Sequence, residues 1–366
     1  MGKNGVTIND VAQQVGVSKV TVSYVLNGRE AGIRISDATR QRVVRAAREL
    51  GYHPNALARG LARRQTDTLA IVMQYPSVFS GWSGFINELM HGATDAASAL
   101  GFDLMLHTKV QPDTERDVAA LTDGRADGAL LLRDKDDPMA GQLMARGFPC
   151  VQVFSRSPEA ETCFVDCDNE AGAQIAVEHL YAQGHRRIGH LAGAPISGAA
   201  ASRLFGYRQA LLARGIDPRP EWECEVTYAK SDPEPFLHMM AGPQAPTALF
   251  TWSDDVAAWA IRLLRERLGL NVPRDVSVIG FDGTKVGEQT TPRLSSMRQP
   301  IYDMAAQGIE LLTALVRSEP VKVRHVITEA KLIERDSCGQ VPQDPGKEGK
   351  INHELQQEKS ADGTFP

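Results

Sequence analysis

The chain has 366 residues, 42% hydrophobic and 23% charged, with a formal net charge of -5. That length allows two or three domains, and the balance is that of a globular protein. No apolar run approaches the roughly 18 to 20 residues of a membrane span, and the N-terminus lacks the apolar core of a secretory signal, so a cytoplasmic protein is expected.

Five cysteines (Cys150, Cys163, Cys167, Cys224, Cys338) are too scattered for a disulfide framework. Cys163 and Cys167 stand four apart without a second pair or a nearby histidine, so no metal or other cofactor is expected. Charge is divided sharply. Residues 1–66 carry eleven Lys or Arg against four acids, a net of +7, which leaves -12 for the rest. A basic head on an acidic body points to a polyanion as the head's partner.

Thr7 with Asp10 reads as a capping pair ahead of Ile8, Val11, Ala12 and Val15, which share one helical face. Gly16 and Val17 break that helix, and Ser18 can cap a second whose Val22, Val25 and Leu26 point inward. Gly28 ends it. Ser36 caps a third, longer helix through Val43, Val44, Ala47 and Leu50, closed by Gly51 and Pro54. Two helices joined across Gly16 and Val17 make a helix-turn-helix, whose second helix lies in the DNA major groove and leads with its N-terminal residues. By elimination Lys19, Val20, Thr21, Ser23 and Tyr24 face outward. The plain alternative is a helical bundle that its arginines merely solvate.

The run TINDVAQQVGVSKVTVSYVLNG (Thr7 to Gly28) resembles the headpiece of the lactose/galactose repressor (LacI/GalR) family of bacterial transcription regulators. The similarity continues through Ser36 to Arg40 and through GYHPNALARGL, Gly51 to Leu61. It implies that Lys19, Val20 and Tyr24 face base edges and that Thr21, Ser23 and Asn27 help hold the DNA backbone. Ser23 and Asn27 also suit plain capping or surface roles. Thr7, Ser18, Arg29, Asn55, Ala56 and Arg59 complete the expected interface. Tyr24 stands where arginine is common in the family, so the guanine contact usual there does not carry over.

Residues 55–67 follow Pro54 as a linker. The seven residues Asn55 to Leu61 make a marginal helix alone in water and are expected to order only when pinned. The resemblance makes them a hinge helix that folds on DNA, with Leu61 wedged into the central base step in the minor groove. On its residues alone Leu61 suits an apolar anchor on the core as well. Ala62 stands where some members carry a basic residue, which loosens the preference at that step.

From Thr68 short apolar runs alternate with amphipathic helices. Leu69–Met73, Phe102–Leu106, Gly128–Leu132, Cys150–Phe154, Arg187–Leu191, Ala248–Thr251 and Val276–Phe281 read as buried parallel strands. Helices are expected at Gly84–Leu100, Asn169–Gln183, Ala201–Arg214 and Asp254–Leu268. This is doubly wound α/β texture with strands enough for two sheets. Four further stretches are similar to the family: Gly184–Ile188, Arg203–Tyr207, Val272–Gly283 and Thr291–Pro300. The resemblance implies two lobes of the periplasmic-binding-protein type (type I), joined by three crossovers near Asp166–Asn169, Ser295–Arg298 and the strand ending near Ile327. The expected domains are therefore 1–54 (helix-turn-helix head), 55–67 (hinge and linker), 68–337 (two-lobed core for effector and dimerisation) and 338–366 (disordered tail).

The ligand cleft is expected at the strand C-termini. Asp282 and Arg203 suit bidentate bonding to vicinal hydroxyls or a heterocycle edge, and the family has effector contacts at the matching positions; the alternative is a cleft-lining salt bridge. Trp82, Phe85, Phe154, Arg156, Trp252 and Asp254 sit at comparable strand-end loops. The two tryptophans either stack on a sugar ring or pack in the core. Asp254 stands where the family often has asparagine, and an ionised carboxylate would favour a neutral or cationic ligand over an anion. A sugar is the favoured effector and a nucleobase or nucleoside the runner-up.

The chain contains no Gly-x-Gly-x-x-Gly, Walker loop or Gly-x-Ser-x-Gly, and His179, His185 and His190 straddle a helix end and a strand, so no enzyme is expected. A transport binding protein would share the body but not the basic head. The expectation is a homodimeric, effector-controlled transcription regulator, most simply a repressor, that binds double-stranded operator DNA and no membrane.

Overall fold

The computed structural model describes residues 6–26, 35–53, 60, 65–74, 83–109, 113–134, 136–156, 161–226 and 232–341. Two compact units divide the chain: residues 1–68 with 123–127, and residues 69–122 with 128–366.

In the first unit α1 (Ile8–Val15), α2 (Lys19–Leu26) and α3 (Asp37–Leu50) close on buried Val11, Val15, Val22, Val25, Val43, Ala46 and Ala47. Gly16 leaves α1 at φ 71°, a left-handed conformation open to glycine at no steric cost. Its amide and that of Val17 both return to the Ala12 carbonyl, which makes the tight turn into α2. The Arg42 guanidinium donates to Val15 O at 2.5 Å and ties α3 to the end of α1. Elsewhere in this unit the Asp127 carboxylate accepts the Thr66 and Asp67 amides.

The second unit holds two six-stranded sheets. The first runs β11-β5-β4-β3-β1-β2 and the second β12-β10-β9-β8-β6-β7. The strands of the first are β1 (Thr68–Met73), β2 (Asp103–His107), β3 (Gly128–Leu132), β4 (Cys150–Val153), β5 (Cys163–Cys167) and β11 (His325–Thr328). Those of the second are β6 (Ile188–Ala192), β7 (Glu223–Glu225), β8 (Ala248–Thr251), β9 (Ser277–Asp282), β10 (Ser295–Arg298) and β12 (Lys331–Ile333). β12 runs antiparallel on β10, whereas pairings such as β1 with β3 and β9 with β10 are parallel. Helices α4 (Gly84–Leu100), α5 (Thr114–Leu121), α6 (Met139–Ala145), α7 (Asn169–Ala182), α8 (Gly198–Ala213), α9 (Glu234–Ala241), α10 (Asp254–Leu268), α11 (Val286–Gln289) and α12 (Ile301–Val316) make the connections. This is the expected α/β architecture of two parallel-sheet lobes. The chain passes between lobes after β5, after β10 and after β11, as the crossovers required.

Three expectations are corrected. β5 lies where only a crossover was expected, because Asp166 interrupts its apolar run. β4 stops at Val153, since Phe154 turns to φ 56°, and that residue belongs to the loop. Packing also continues past Ser337, the expected end of the core. Cys338 Sγ lies 3.3 Å from Val278 O, the Gly339 carbonyl pairs with His185, and the Val341 amide donates to Gln183 O. The remainder of the expected tail, 342–366, lies outside the described residues. No helix among the described residues is long and apolar enough to cross a membrane.

Candidate DNA-reading helix and effector cleft

On the head, Ser18 Oγ accepts the Thr21 amide at 3.1 Å and lies 2.9 Å from the Thr21 hydroxyl, so this pair caps α2. Thr7 donates its amide and its hydroxyl to Asp10 at 2.7 and 2.8 Å, and those bonds hold the Asp10 carboxyl below its ordinary pKa. Three of the expected interface hydroxyls thus stabilise helix starts. Lys19 and Val20 are exposed, Val20 by 48%, while Thr21, Ser23 and Tyr24 are half-buried on the same outer side. Asn27, Arg29, Asn55, Ala56, Arg59 and Leu61 lie outside the described residues.

In the second unit a buried polar network spans the crossovers. Arg203, from the first half of α8, is 3% exposed. It donates Nε to Asn169 Oδ1 at 2.9 Å and Nη1 to the Trp252 carbonyl, lies 3.6 Å from Asp282, and covers the Phe281 ring at 3.7 Å. Gln299 Nε2 donates to Asp282 Oδ1 at 2.8 Å. Burial pushes the Asp282 carboxyl well above its ordinary pKa, and the Arg203 charge opposes that shift. Asp282 ends β9 at φ 112°, and with Phe154 at 56° it is one of two described effector candidates whose backbone is strained by about 1 to 3 kcal/mol. Beside this network Arg156 donates to Asp166 at 2.6 Å and to Cys167 O at 3.0 Å, leaving 42% of its side chain in solvent. Phe85 meets Phe154 edge to face, with ring centroids 4.7 Å apart.

Two family models match this chain: "Bacterial regulatory proteins, lacI family" over residues 7–55 and "Periplasmic binding protein-like domain" over residues 177–338. The transcriptional regulator CelR of Thermobifida fusca is 35% identical over 90% of this chain and 98% of its own length. A solved CelR–cellobiose complex superimposes with a TM-score of 0.69 at 33% identity, covering 91% of this chain and 99% of that one. The Lac repressor dimer bound to operator and the anti-inducer ONPF gives a TM-score of 0.78 at 27% identity, covering 92% and 100%. The chain belongs to the LacI family.

As a LacI-family protein it is a DNA-binding transcriptional regulator with an effector-binding domain, and its curated relatives are regulators rather than enzymes. The cleft of this LacI-family chain departs from the sequence reading at Asp254. That residue is 1% exposed, and both of its oxygens are engaged within its lobe: Oδ2 accepts the Thr284 amide and hydroxyl at 2.7 and 3.1 Å, and Oδ1 accepts the Ser296 hydroxyl at 2.5 Å. Burial raises its pKa to about 6. Asp254 therefore braces a loop, and its charge does not select a neutral ligand over an anion.

Trp252 is half-buried. Its Nε1 donates to Val226 O at 2.8 Å and its ring lies against Gly193, where a Cβ would come within 2.7 Å of Cδ2. Trp82 lies outside the described residues. His185 is held by Thr247, Ser277 and Gly339, and His190 stacks on Tyr207 and Phe250 with a pKa lowered by burial to about 3.

Sequence reasoning missed Asn169, Gln299 and Asp255. Asp255 accepts hydrogen bonds from Ser83 and the Gly84 amide, so the second lobe caps the start of α4 in the first. It also missed Gln74 Oε1, Arg133 Nη1 and Ser155 Oγ, buried without a hydrogen-bond partner among the described residues just beyond β1, β3 and β4. Polar atoms in that condition at strand ends suit a ligand that brings hydroxyls.

Proposed function

We propose that this regulator is a repressor that binds a pseudo-palindromic operator as a homodimer and is controlled by a sugar held between its lobes. The observation carrying the effector reading is the buried Arg203–Asp282 pair with Gln299, backed by strained backbone at Phe154 and Asp282. A guanidinium and a carboxylate fixed side by side supply donors and acceptors for vicinal hydroxyls. The unpartnered polar atoms of Gln74, Arg133 and Ser155 add capacity on the other lobe. The CelR–cellobiose complex supports a sugar by similarity, and the operator-bound Lac repressor dimer supports a dimer reading two half-sites. Arg156, Phe85, Phe154 and Trp252 are the further effector contacts of this reading; Lys19, Val20 and Tyr24 face bases, and Leu61 wedges the operator centre. The protein works in the cytoplasm, where its DNA is.

Effector binding shifts the lobe angle, and through residues 55–67 it changes whether the heads can hold both half-sites. The test is thermal melting of the full chain against mono- and disaccharides, sugar phosphates, nucleobases and nucleosides. A ligand at a hundredfold over its Kd stabilises the fold by about 2.7 kcal/mol. One sugar class should raise Tm, and Asp282→Ala, measured against its own baseline, should lose the rise. If only a nucleobase or nucleoside does so, the sugar assignment falls and the cleft remains. An unchanged rise in Asp282→Ala would remove the cleft assignment.

A further inference from the structure

The side chains of α2 are mostly apolar or hydroxylic. Its eight residues, Lys19–Leu26, read KVTVSYVL and contain no Arg, Asn, Gln, Asp or Glu. Arg reads guanine and Asn or Gln reads adenine by bidentate hydrogen bonds in the major groove, and Asp or Glu accepts from cytosine, so hydrogen-bond reading by α2 is left to Lys19 and to its hydroxyls. Val22 and Val25 are buried in the head, and the Ser18 and Thr21 hydroxyls pair with each other at the cap. What α2 offers outward is the Lys19 ammonium, the Val20 methyls, the Ser23 hydroxyl and the Tyr24 ring, of which Val20 and Tyr24 present the apolar surface. Val20 is 48% exposed, one of the more exposed large apolar residues described. A β-branched apolar side chain on the leading turn of a helix has a single apolar counterpart on a base edge in that groove, the C5-methyl of thymine. Tyr24 stands four residues on from Val20, on the same face and about 6 Å further along the axis, which is close to two base-pair steps.

We infer that α2 reads its half-site through thymine methyl groups, with Val20 and Tyr24 each covering one and Lys19 adding a single-point contact to a guanine O6 or N7. The inference rests on α2 being the helix that enters the groove. It specifies a class of operator, one whose half-sites carry thymines under the centre of the recognition helix. Asn27 and Arg29 follow the helix, and its N-terminal residues lead into the groove.

The experiment starts by selecting duplexes from a random-sequence pool with the full-length protein. Each thymine of the enriched half-site is then replaced by deoxyuridine, which removes the methyl and leaves every hydrogen-bonding group. Affinity should fall about fourfold at each of two thymines, the worth of one buried methyl. Val20→Ala should abolish the response at one of them and Tyr24→Ala at the other, while Tyr24→Phe keeps it. Unchanged melting temperatures will separate lost contacts from lost folding. Two results overturn the inference while the DNA-binding reading stands. In one, the enriched duplex is indifferent to deoxyuridine and sensitive to 7-deazaguanine throughout; in the other, the deoxyuridine losses persist in both alanine variants. If no duplex is enriched, the assignment of α2 as the groove helix falls and the inference with it.

Discussion

Asp254 illustrates how far a single carboxyl can depart from its sequence reading. Three hydrogen bonds converge on it and favour the ionised form, yet burial dominates and the pKa rises from 3.8 to about 6. A folded-state pKa above the unfolded one means that the native protein holds the proton longer. The group's stabilising contribution is therefore full below about pH 4 and is lost as pH rises through about 6. Melting temperature should decline across that window, and Asp254→Asn, which keeps the shape and one acceptor, should flatten the decline. An identical slope in the variant would assign the effect to the other raised carboxyls, Asp166, Asp255 and Asp282. Asp282 presents the opposite hazard. Removing it strands the Arg203 charge inside the protein, and Asp282→Ala should lower unfolding stability by about 3 to 5 kcal/mol in denaturant titrations. A loss under about 1 kcal/mol would mean that water reaches Arg203 readily.

At the level of elements, the joints matter more than the helices and strands they connect. Gly84 opens α4 so close to the opposite lobe that a Cβ there would lie 2.6 Å from Thr284 Oγ1. Gly84→Ala forces the Thr284 loop or the start of α4 to move, at about 1 to 3 kcal/mol for overpacking. Because Asp255 caps α4 at the same place, the substitution should also change effector affinity; unaltered melting and unaltered affinity together would show that the joint is slack. These joints explain which parts of the molecule were legible in advance. Strands such as β1, β8 and β9 announced themselves as apolar runs, and α4 and α10 were bounded correctly because glycine or serine marks their ends. Arg203 and Asp282 were singled out because a charge beside a strand end or near a helix start has few structural uses; the structure pairs them with each other, and their contact with effector belongs to the proposal. β5 was hidden by Asp166, whose burial is made possible by Arg156, a partner ten residues back that no local pattern reveals. Asn169 and Gln299 are neutral polar residues whose roles exist only once the crossovers bring α8 and β9 beside them. Asp254 and Asp255 are adjacent in sequence, and only the fold distinguishes the one that braces its own lobe from the one that reaches across.

For the whole molecule, the decisive property is the division of charge between a head of +7 and a remainder of -12. The acidic body repels DNA, so attraction must come from the head at short range, within a Debye length of about 10 Å at 0.1 M salt. That predicts strong dependence on ionic strength. With about six or more phosphates neutralised, operator affinity should fall a thousandfold or more between about 50 and 200 mM monovalent salt. Salt dependence separates two kinds of binding energy. Thymine-methyl contacts at Val20 and Tyr24 are apolar and insensitive to salt, whereas the phosphate contacts are not. Raising salt should therefore weaken binding to enriched and to random duplexes in parallel, leaving the ratio between them nearly constant, and Val20→Ala should lower that ratio without changing the salt slope. A slope that falls by about one unit in Val20→Ala would show that the substitution has disturbed a phosphate contact, and the division of labour on α2 would have to be redrawn.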